Sequence, residues 1–206
     1  MSKEVYFDVE TTGLKPGQIG QLSLIVNNNG QLSAENYFFE VDYVNPDVTK
    51  KFGRGINFYK EKSKGIKFKD KKDEIYNMVA DADLIVGHNV DFDINFLTTE
   101  FWRLGVQLPI KDRFDTMKKY KGIIKVFDKT GRIKNPNLSE LANHLNLDNS
   151  KTNIICEKLF EKTEFKPEFH DSTYDITVTF LAKQLYMEMN LETKKWTDLV
   201  TLKTMI

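Results

Sequence analysis

The chain has 206 residues, 40% hydrophobic and 12% aromatic, enough apolar material for the core of one domain of ordinary to large size. Lys and Arg number 30 and Asp and Glu number 30, so net charge selects neither an acidic nor a basic partner and only the distribution of charge can do so. The single cysteine, Cys156, excludes an internal disulfide and reads as a small core residue in a reducing, cytoplasmic setting; no N-terminal apolar segment and no run of about 18 apolar residues argues for secretion or membrane spanning.

The first element is Val5 to Val9, rich in β-branched and aromatic residues, which predicts a central strand broken by Asp8 and Glu10. Side chains two apart share a strand face, so Asp8 and Glu10 project together, opposite Val5, Phe7 and Val9. Two carboxylates that close repel unless a proton or a cation sits between them. A hard divalent cation takes such oxygen ligands. The same pair also fits an edge strand or acids matched to lysines, and the strand alone leaves both readings open.

After a turn at Lys15-Pro16-Gly17, Leu22, Leu24 and Val26 mark a second strand, Asn27 to Gly30 a hairpin, and Tyr37 to Val41 a third strand, which makes an antiparallel meander. Asn45 to Lys72 has no clear period; it is punctuated by Pro46, Gly53, Gly55 and Gly65 and holds seven lysines from Lys60 onward. A helix is expected over 73–81, a short buried strand at Leu84-Ile85-Val86, and a helix burying Phe92, Phe96, Leu97 and Phe101 that ends at Gly105. Phe114-Asp115-Thr116-Met117 reads as a strand entering a helix. Lys118 to Lys134 carries seven Lys or Arg against one acid, Asp128, and a small hairpin is expected from Ile123 to Ile133. Leu138 to Leu145 is an amphipathic helix with His144 off its apolar stripe, and a long helix runs from about Ser172 to Met189 with Asp171 or Ser172 as N-cap. A meander followed by strand-helix units implies an α/β fold, a mixed sheet with helices on its faces.

Acids recur at element ends: Asp8 and Glu10 on the first strand, Asp93 at a helix start, and Asp175 one turn into the last long helix, five residues after His170. Singly, Asp93 fits a helix N-terminus, Asp175 a surface acid and His170 a structural histidine. In combination the pattern is D-x-E-T-T-G-L over Asp8 to Leu14, H-N-x-x-F-D-x-x-F-L over His88 to Leu97, and H-x-x-x-x-D at His170 and Asp175, with Phe114-Asp115-Thr116 and Leu138-Ser139-Glu140-Leu141-Ala142 between. In this order the motifs resemble the DEDDh exonucleases, the DnaQ-like proofreading family that includes the DNA polymerase III epsilon subunit.

The resemblance implies a ribonuclease H-like fold with a five-stranded mixed sheet, an exonuclease domain over 1–190 and a C-terminal tail, 191–206, packed as a short helix. It makes Asp8, Glu10, Asp93 and Asp175 the ligands of two Mg²⁺ or Mn²⁺ ions and His170 the general base, with Asp93 preferred over Asp91. It gives Leu14 the role of an apolar wedge at the terminal base and brings the backbone at Thr11 and Thr12 to the 3′ nucleotide. Asn89 and Phe92 shape the site. Two divalent ions suit phosphodiester hydrolysis, because attacking and leaving oxygens both need stabilising. A histidine with a pKa of about 6.5 can take a proton near neutrality.

The implied activity is 3′→5′ exonuclease hydrolysis of single-stranded DNA, of proofreading or repair type, releasing nucleoside monophosphates. A DNA polymerase in trans is an implied partner, and no membrane is. A 3′→5′ exoribonuclease remains open, as does a non-catalytic nucleic-acid-binding or polymerase-associated module of the same fold. The two basic stretches, with Phe58, Tyr59 and Phe68 in one and Tyr120 and Phe127 in the other, fit either stacking on single-stranded bases or a solvated surface over core aromatics.

Overall fold

The computed structural model describes residues 2–14, 17–161 and 170–190. The expected tail helix over 191–206 and most of the Lys15-Pro16-Gly17 turn lie outside them. Five strands, β1 (Lys3–Thr11), β2 (Ile19–Asn28), β3 (Gln31–Phe38), β4 (Leu84–Gly87) and β5 (Arg113–Asp115), form one sheet in the order β3-β2-β1-β4-β5. β1 pairs antiparallel with β2, and β2 with β3; β1 and β4, and β4 and β5, run parallel. This is the mixed sheet that the meander and the strand-helix units predict, with the five strands that the family resemblance implies.

Eight helices follow among the described residues: α1 (Pro46–Phe52), α2 (Ile56–Ser63), α3 (Phe68–Val79), α4 (Val90–Arg103), α5 (Thr116–Ile124), α6 (Leu138–His144), α7 (Asn149–Leu159) and α8 (Ser172–Asn190). The two-residue period of β1 divides the core. Val5, Phe7 and Val9 pack with Leu22, Leu24 and Val26 beneath α3 and α4, through Phe68, Ile75, Ile94, Leu97 and Phe101. Tyr6 and Ile25 face the other way, toward Cys156 of α7, Phe160 at its C-cap, and Ile176 and Phe180 of α8. Because β2 has helices on one face and α8 on the other, it is buried from Ile19 to Val26.

Several boundaries differ from the sequence reading. β3 is the earlier segment Gln31–Phe38, because the tight turn at Asn29 (φ 54°) and Gly30 (φ 91°) leaves no slack before pairing resumes. The stretch from Asn45 onward is three short helices, and its punctuation is their caps. The Asn45 side chain accepts the Asp47 N–H, Pro46 opens α1, and Gly53 closes it at φ 70°. The helix expected over 73–81 begins at Phe68, with Asp70 accepting the Lys67 N–H. Ile123 and Ile124 end α5, so the hairpin is narrower than expected and is built on a Phe127–Ile133 bridge. The sequence reading assigned no element to α7, whose apolar stripe is only Thr152, Ile155, Cys156 and Leu159.

Where β1 ends, the ladder slips. Glu10 opposes Gln21 and Thr11 opposes Ile19, so Gly20 is an extra residue on β2. A Cβ on Gly20 would lie 2.3 Å from the Tyr59 ring, so only glycine lets α2 pack here. This bulge bends the sheet edge beside Glu10.

Candidate active site

The C-terminal ends of the parallel strands β1, β4 and β5 lie along one edge, and the acids gather there. Asp8 and Glu10 stand on the α8 face of β1, opposite Ser23 and Gln21 of β2. α8 brings its first turn against them. Its start is fixed by Asp171, whose Oδ1 accepts the Thr173 N–H at 3.0 Å and the Thr173 hydroxyl at 2.5 Å, and by a Ser172–Ser23 hydroxyl pair at 2.5 Å. One turn on, Asp175 completes a group with Asp8 and Glu10 whose ligand oxygens all lie within 4.8 Å of one another. Asp93 arrives from the opposite face. It sits in the first turn of α4, is buried, and accepts the Val9 N–H at 3.4 Å. It stands outside the close group of three, across the end of β1 from it.

Crowding of acids, Asp93 buried and Asp8, Glu10 and Asp175 half-buried, sets their electrostatics. Burial, then the Asp171 charge, pushes Asp8 up to about 7. Burial, then Asp8, pushes Glu10 up to about 8. Asp93 and Asp175 are held well above the usual carboxylate range, each by burial first and Asp8 second. Asp175 Oδ2 accepts the His170 N–H at 3.3 Å, while its Oδ1 is buried with no hydrogen-bond partner. Crowded carboxylate oxygens, one of them the buried and unmatched Asp175 Oδ1, are a donor set that suits a hard divalent cation, so these residues fit Mg²⁺ or Mn²⁺.

Sequence reasoning missed a cation. Arg54, in the Gly53-Arg54-Gly55 link between α1 and α2, reaches 3.5 Å from Asp171 and 3.9 Å from Glu10 and donates to Gln21 Oε1 at 2.9 Å. Gln21 is itself fully buried and donates toward Asp171 at 3.4 Å. Arg54 therefore lowers the cost of ionising both Asp8 and Glu10. Nothing local marks it; its contacts form only when α2 folds over the end of β2.

His170 adopts φ 70° and is exposed, its ring 5.0 Å from that of Phe52. Partial burial, then the charges of Lys51 and Arg54, lowers its pKa below 6.5, so it is neutral at neutral pH and able to accept a proton. Asp91 points elsewhere: it pairs with Arg113 at 2.7 Å and Lys118 at 2.5 Å, which holds it ionised on the surface. Leu14 is 77% exposed beyond the end of β1. The Thr11 hydroxyl donates to the Gly13 carbonyl at 3.2 Å. Thr12 is buried, its N–H and carbonyl engaged with Gln18 and Asn45, which leaves Thr11 the more open of the two.

Asn89 occupies the left-handed N-cap of α4 at φ 69°, its N–H given to Asp115 at 3.0 Å, and Phe92 leans on Phe96 at 4.7 Å. His88 is a stitch between segments. Its Nε2 donates to the Pro136 carbonyl at 3.1 Å, and Nδ1 meets the Thr116 hydroxyl at 3.0 Å. These bonds tie the β4–α4 turn, which carries Asn89 and leads into the α4 turn that holds Asp93, to the start of α5 and the segment before α6.

Residues 5–182 match the family model described as Exonuclease (RNase_T). The 3′-5′ exonuclease DinG of Bacillus subtilis is 27% identical over 185 residues, covering 79% of this chain and 18% of that protein. DNA polymerase III subunit epsilon of Rickettsia felis is 34% identical over 105 residues, covering 48% of this chain and 44% of that one. Among solved structures, E. coli exonuclease I in complex with a dT13 oligonucleotide superposes with a TM-score of 0.71 at 16% identity, over 93% of this chain and 42% of its own, a likeness of fold. The chain thus spans less than half the length of each of these relatives. With the five-stranded mixed sheet, the three motifs in order and a family match from β1 into α8, the chain belongs to the exonuclease (RNase_T) family.

Proposed function

We propose that this protein is a divalent-metal-dependent 3′→5′ exonuclease that removes nucleoside monophosphates from the 3′ end of single-stranded DNA. The observation that carries the reading is the convergence of Asp8, Glu10 and Asp175 within 4.8 Å, with Asp93 across the end of β1. These four acids would hold Mg²⁺ or Mn²⁺, two ions in this reading, which when bound would neutralise phosphate charge and activate water. His170 takes the proton of the attacking water as general base, and its lowered pKa keeps it in the accepting form. Leu14, exposed next to Thr11, wedges against the terminal base, and Asn89 and Phe92 bound the pocket. Arg54 steadies Glu10 from behind.

DNA is preferred over RNA because a relative of the same fold was solved with a DNA oligonucleotide and another is a DNA polymerase subunit, which also makes a polymerase the fitting partner in trans. Among the described residues no helix is long and apolar enough to cross a membrane.

The test uses 5′-labelled single-stranded DNA and RNA of one sequence, with Mg²⁺, Mn²⁺ or EDTA, and Asp175→Ala as control. A metal-dependent ladder of shortened products on DNA, absent in the variant, is expected. A ladder on RNA alone would make the protein an exoribonuclease. Binding of either strand with no cleavage would make it a non-catalytic module.

A further inference from the structure

The basic stretch Lys118 to Lys134 divides in the structure into paired and unpaired charges. Lys118 is bound to Asp91, and Lys134 to Glu140 at 2.7 Å. Lys119 lies over the Phe114 ring at 5.6 Å. Lys121, Lys125, Lys129 and Arg132 are exposed and make no ion pair among the described residues. The one acid of the stretch, Asp128, is committed to the turn: its Oδ1 accepts the Thr130 N–H at 2.7 Å and the Arg132 N–H at 3.0 Å, with Gly131 at φ 80°.

The turn so fixed joins two short arms. The Asp128 N–H meets the Arg132 carbonyl at 2.8 Å and the Lys134 N–H the Val126 carbonyl at 2.8 Å, around the Phe127–Ile133 bridge. Phe127 is 59% exposed and Ile133 41%, and neither joins a core cluster of the described residues. An exposed aromatic ring thus stands in a hairpin whose chain neighbours Lys125, Lys129 and Arg132, with Lys121 one turn earlier in α5, make no ion pair among the described residues. The other basic stretch, from Lys60 to Lys72, contrasts with it. There Tyr59 and Phe68 are buried in the core, and Phe58 packs on Phe38 and Tyr59. Its aromatics are structural, whereas Phe127 stays outside the core.

The hairpin is tied to the acid site. Two residues past Lys134, the Pro136 carbonyl takes the His88 Nε2–H at the end of β4, in the turn that leads into α4 and Asp93. Phosphates demand cations and exposed bases demand flat apolar surface. The two together, with the one acid of the stretch bonded to the N–H groups of its own turn, fit a single strand of nucleic acid better than a duplex or an apolar protein face. We propose that the 126–134 hairpin, with Lys121, Lys125, Lys129, Arg132 and Phe127, is a docking arm for the single strand upstream of its 3′ end. The strand it serves is the substrate of the proposed exonuclease, on which this inference rests.

The experiment compares wild type, the triple variant Lys125→Ala/Lys129→Ala/Arg132→Ala, and Phe127→Ala, all retaining Lys134–Glu140. Binding of fluorescent dT20 in EDTA is followed against salt, and hydrolysis of the p-nitrophenyl ester of thymidine 5′-monophosphate with Mn²⁺ reports the acid site alone. The triple variant should lower the slope of log affinity against log salt by about 2, at roughly 0.7 for each phosphate left without its cation. Phe127→Ala should weaken dT20 binding roughly 5- to 100-fold with the slope unchanged, as loss of one stacked base does. Ester hydrolysis should stay at the wild-type rate in both. Unchanged slope and affinity in the variants would overturn the arm, as would wild-type binding to phosphatidylserine vesicles or to poly-glutamate in preference to dT20. A wild type that cleaves neither ester nor DNA, yet binds dT20 with the slope change intact, would overturn the exonuclease reading and leave the arm standing.

Discussion

Replacing Asp8 by asparagine should make the metal-free protein more stable while ending hydrolysis. Asp8 is one of three acids whose oxygens crowd within 4.8 Å, and burial with the Asp171 charge raises it to about 7 from an ordinary 3.8. Between those two pH values the folded chain keeps a proton that the unfolded chain has released. The associated stability is complete below about pH 4 and is lost as the pH rises through 7. At about 1.4 kcal/mol for each tenfold, full ionisation of Asp8 costs the fold roughly 4 kcal/mol. Asparagine keeps the shape and removes that cost. With EDTA at about pH 8.5, a gain of roughly 1–4 kcal/mol would raise Tm by about 3–12 °C in a domain of this size.

At about pH 4, where both residues are neutral in the fold, the gain should vanish. Adding Mg²⁺ should stabilise the wild type according to its occupancy and the variant far less. Differential scanning calorimetry at the two pH values, with EDTA or Mg²⁺, measures all four quantities. An asparagine variant no more stable than wild type at the higher pH in EDTA, or a gain that persists unchanged at the lower, would refute the reasoning that crowded charge dominates this site.

Arg54→Gln should act in the opposite sense: with Glu10 and Asp171 robbed of their cation, the metal-free Tm at pH 8 should fall, and Mg²⁺ should restore more of it than in wild type, measured by the same calorimetry. Lys183→Met should cost about 1–3 kcal/mol in urea titrations, because it leaves the partly buried Glu4 carboxylate, now 2.6 Å from Lys183, with only the Tyr6 hydroxyl as partner, and adding Glu4→Gln should recover much of the loss. His88 is held below its usual 6.5, by burial first, so the fold loses stability as the pH falls from 6.5 through its lowered pKa. The stability advantage of wild type over His88→Asn should therefore shrink on acidification across that window, and an advantage constant with pH would show that the ring is not held neutral.

The two faces of β1 and the pairing of Asp8 with Glu10 were legible in the chain, since each follows from spacing within one element, whereas the five-stranded sheet came from the family resemblance and its strand order from the structure. Two-residue alternation puts both acids on one face of β1 wherever β1 ends up. Helical spacing likewise buries Phe96, Leu97 and Phe101 without knowledge of what covers them. The acidic motifs marked Asp8, Glu10 and Asp175, which converge in the structure, but not the distances between them. α7 escaped notice because its inward face is Thr152, Ile155 and Cys156, too mixed to stand out as a stripe. The short helices after Asn45 escaped because Pro and Gly, read as breakers, were serving as caps.

What only the tertiary structure decided is which charges find partners. Arg54 meets Asp171 across 117 positions of chain, Asp91 is drawn off to Arg113 and Lys118, and Phe127 and Phe68, alike as residues in basic stretches, end outside and inside the core. Side-chain direction is a property of the local backbone, and a sequence carries it. Burial and electrostatic pairing depend on segments brought together from far apart, and they exist only once the sheet edge, the α1–α2 link and the start of α8 have closed on one another.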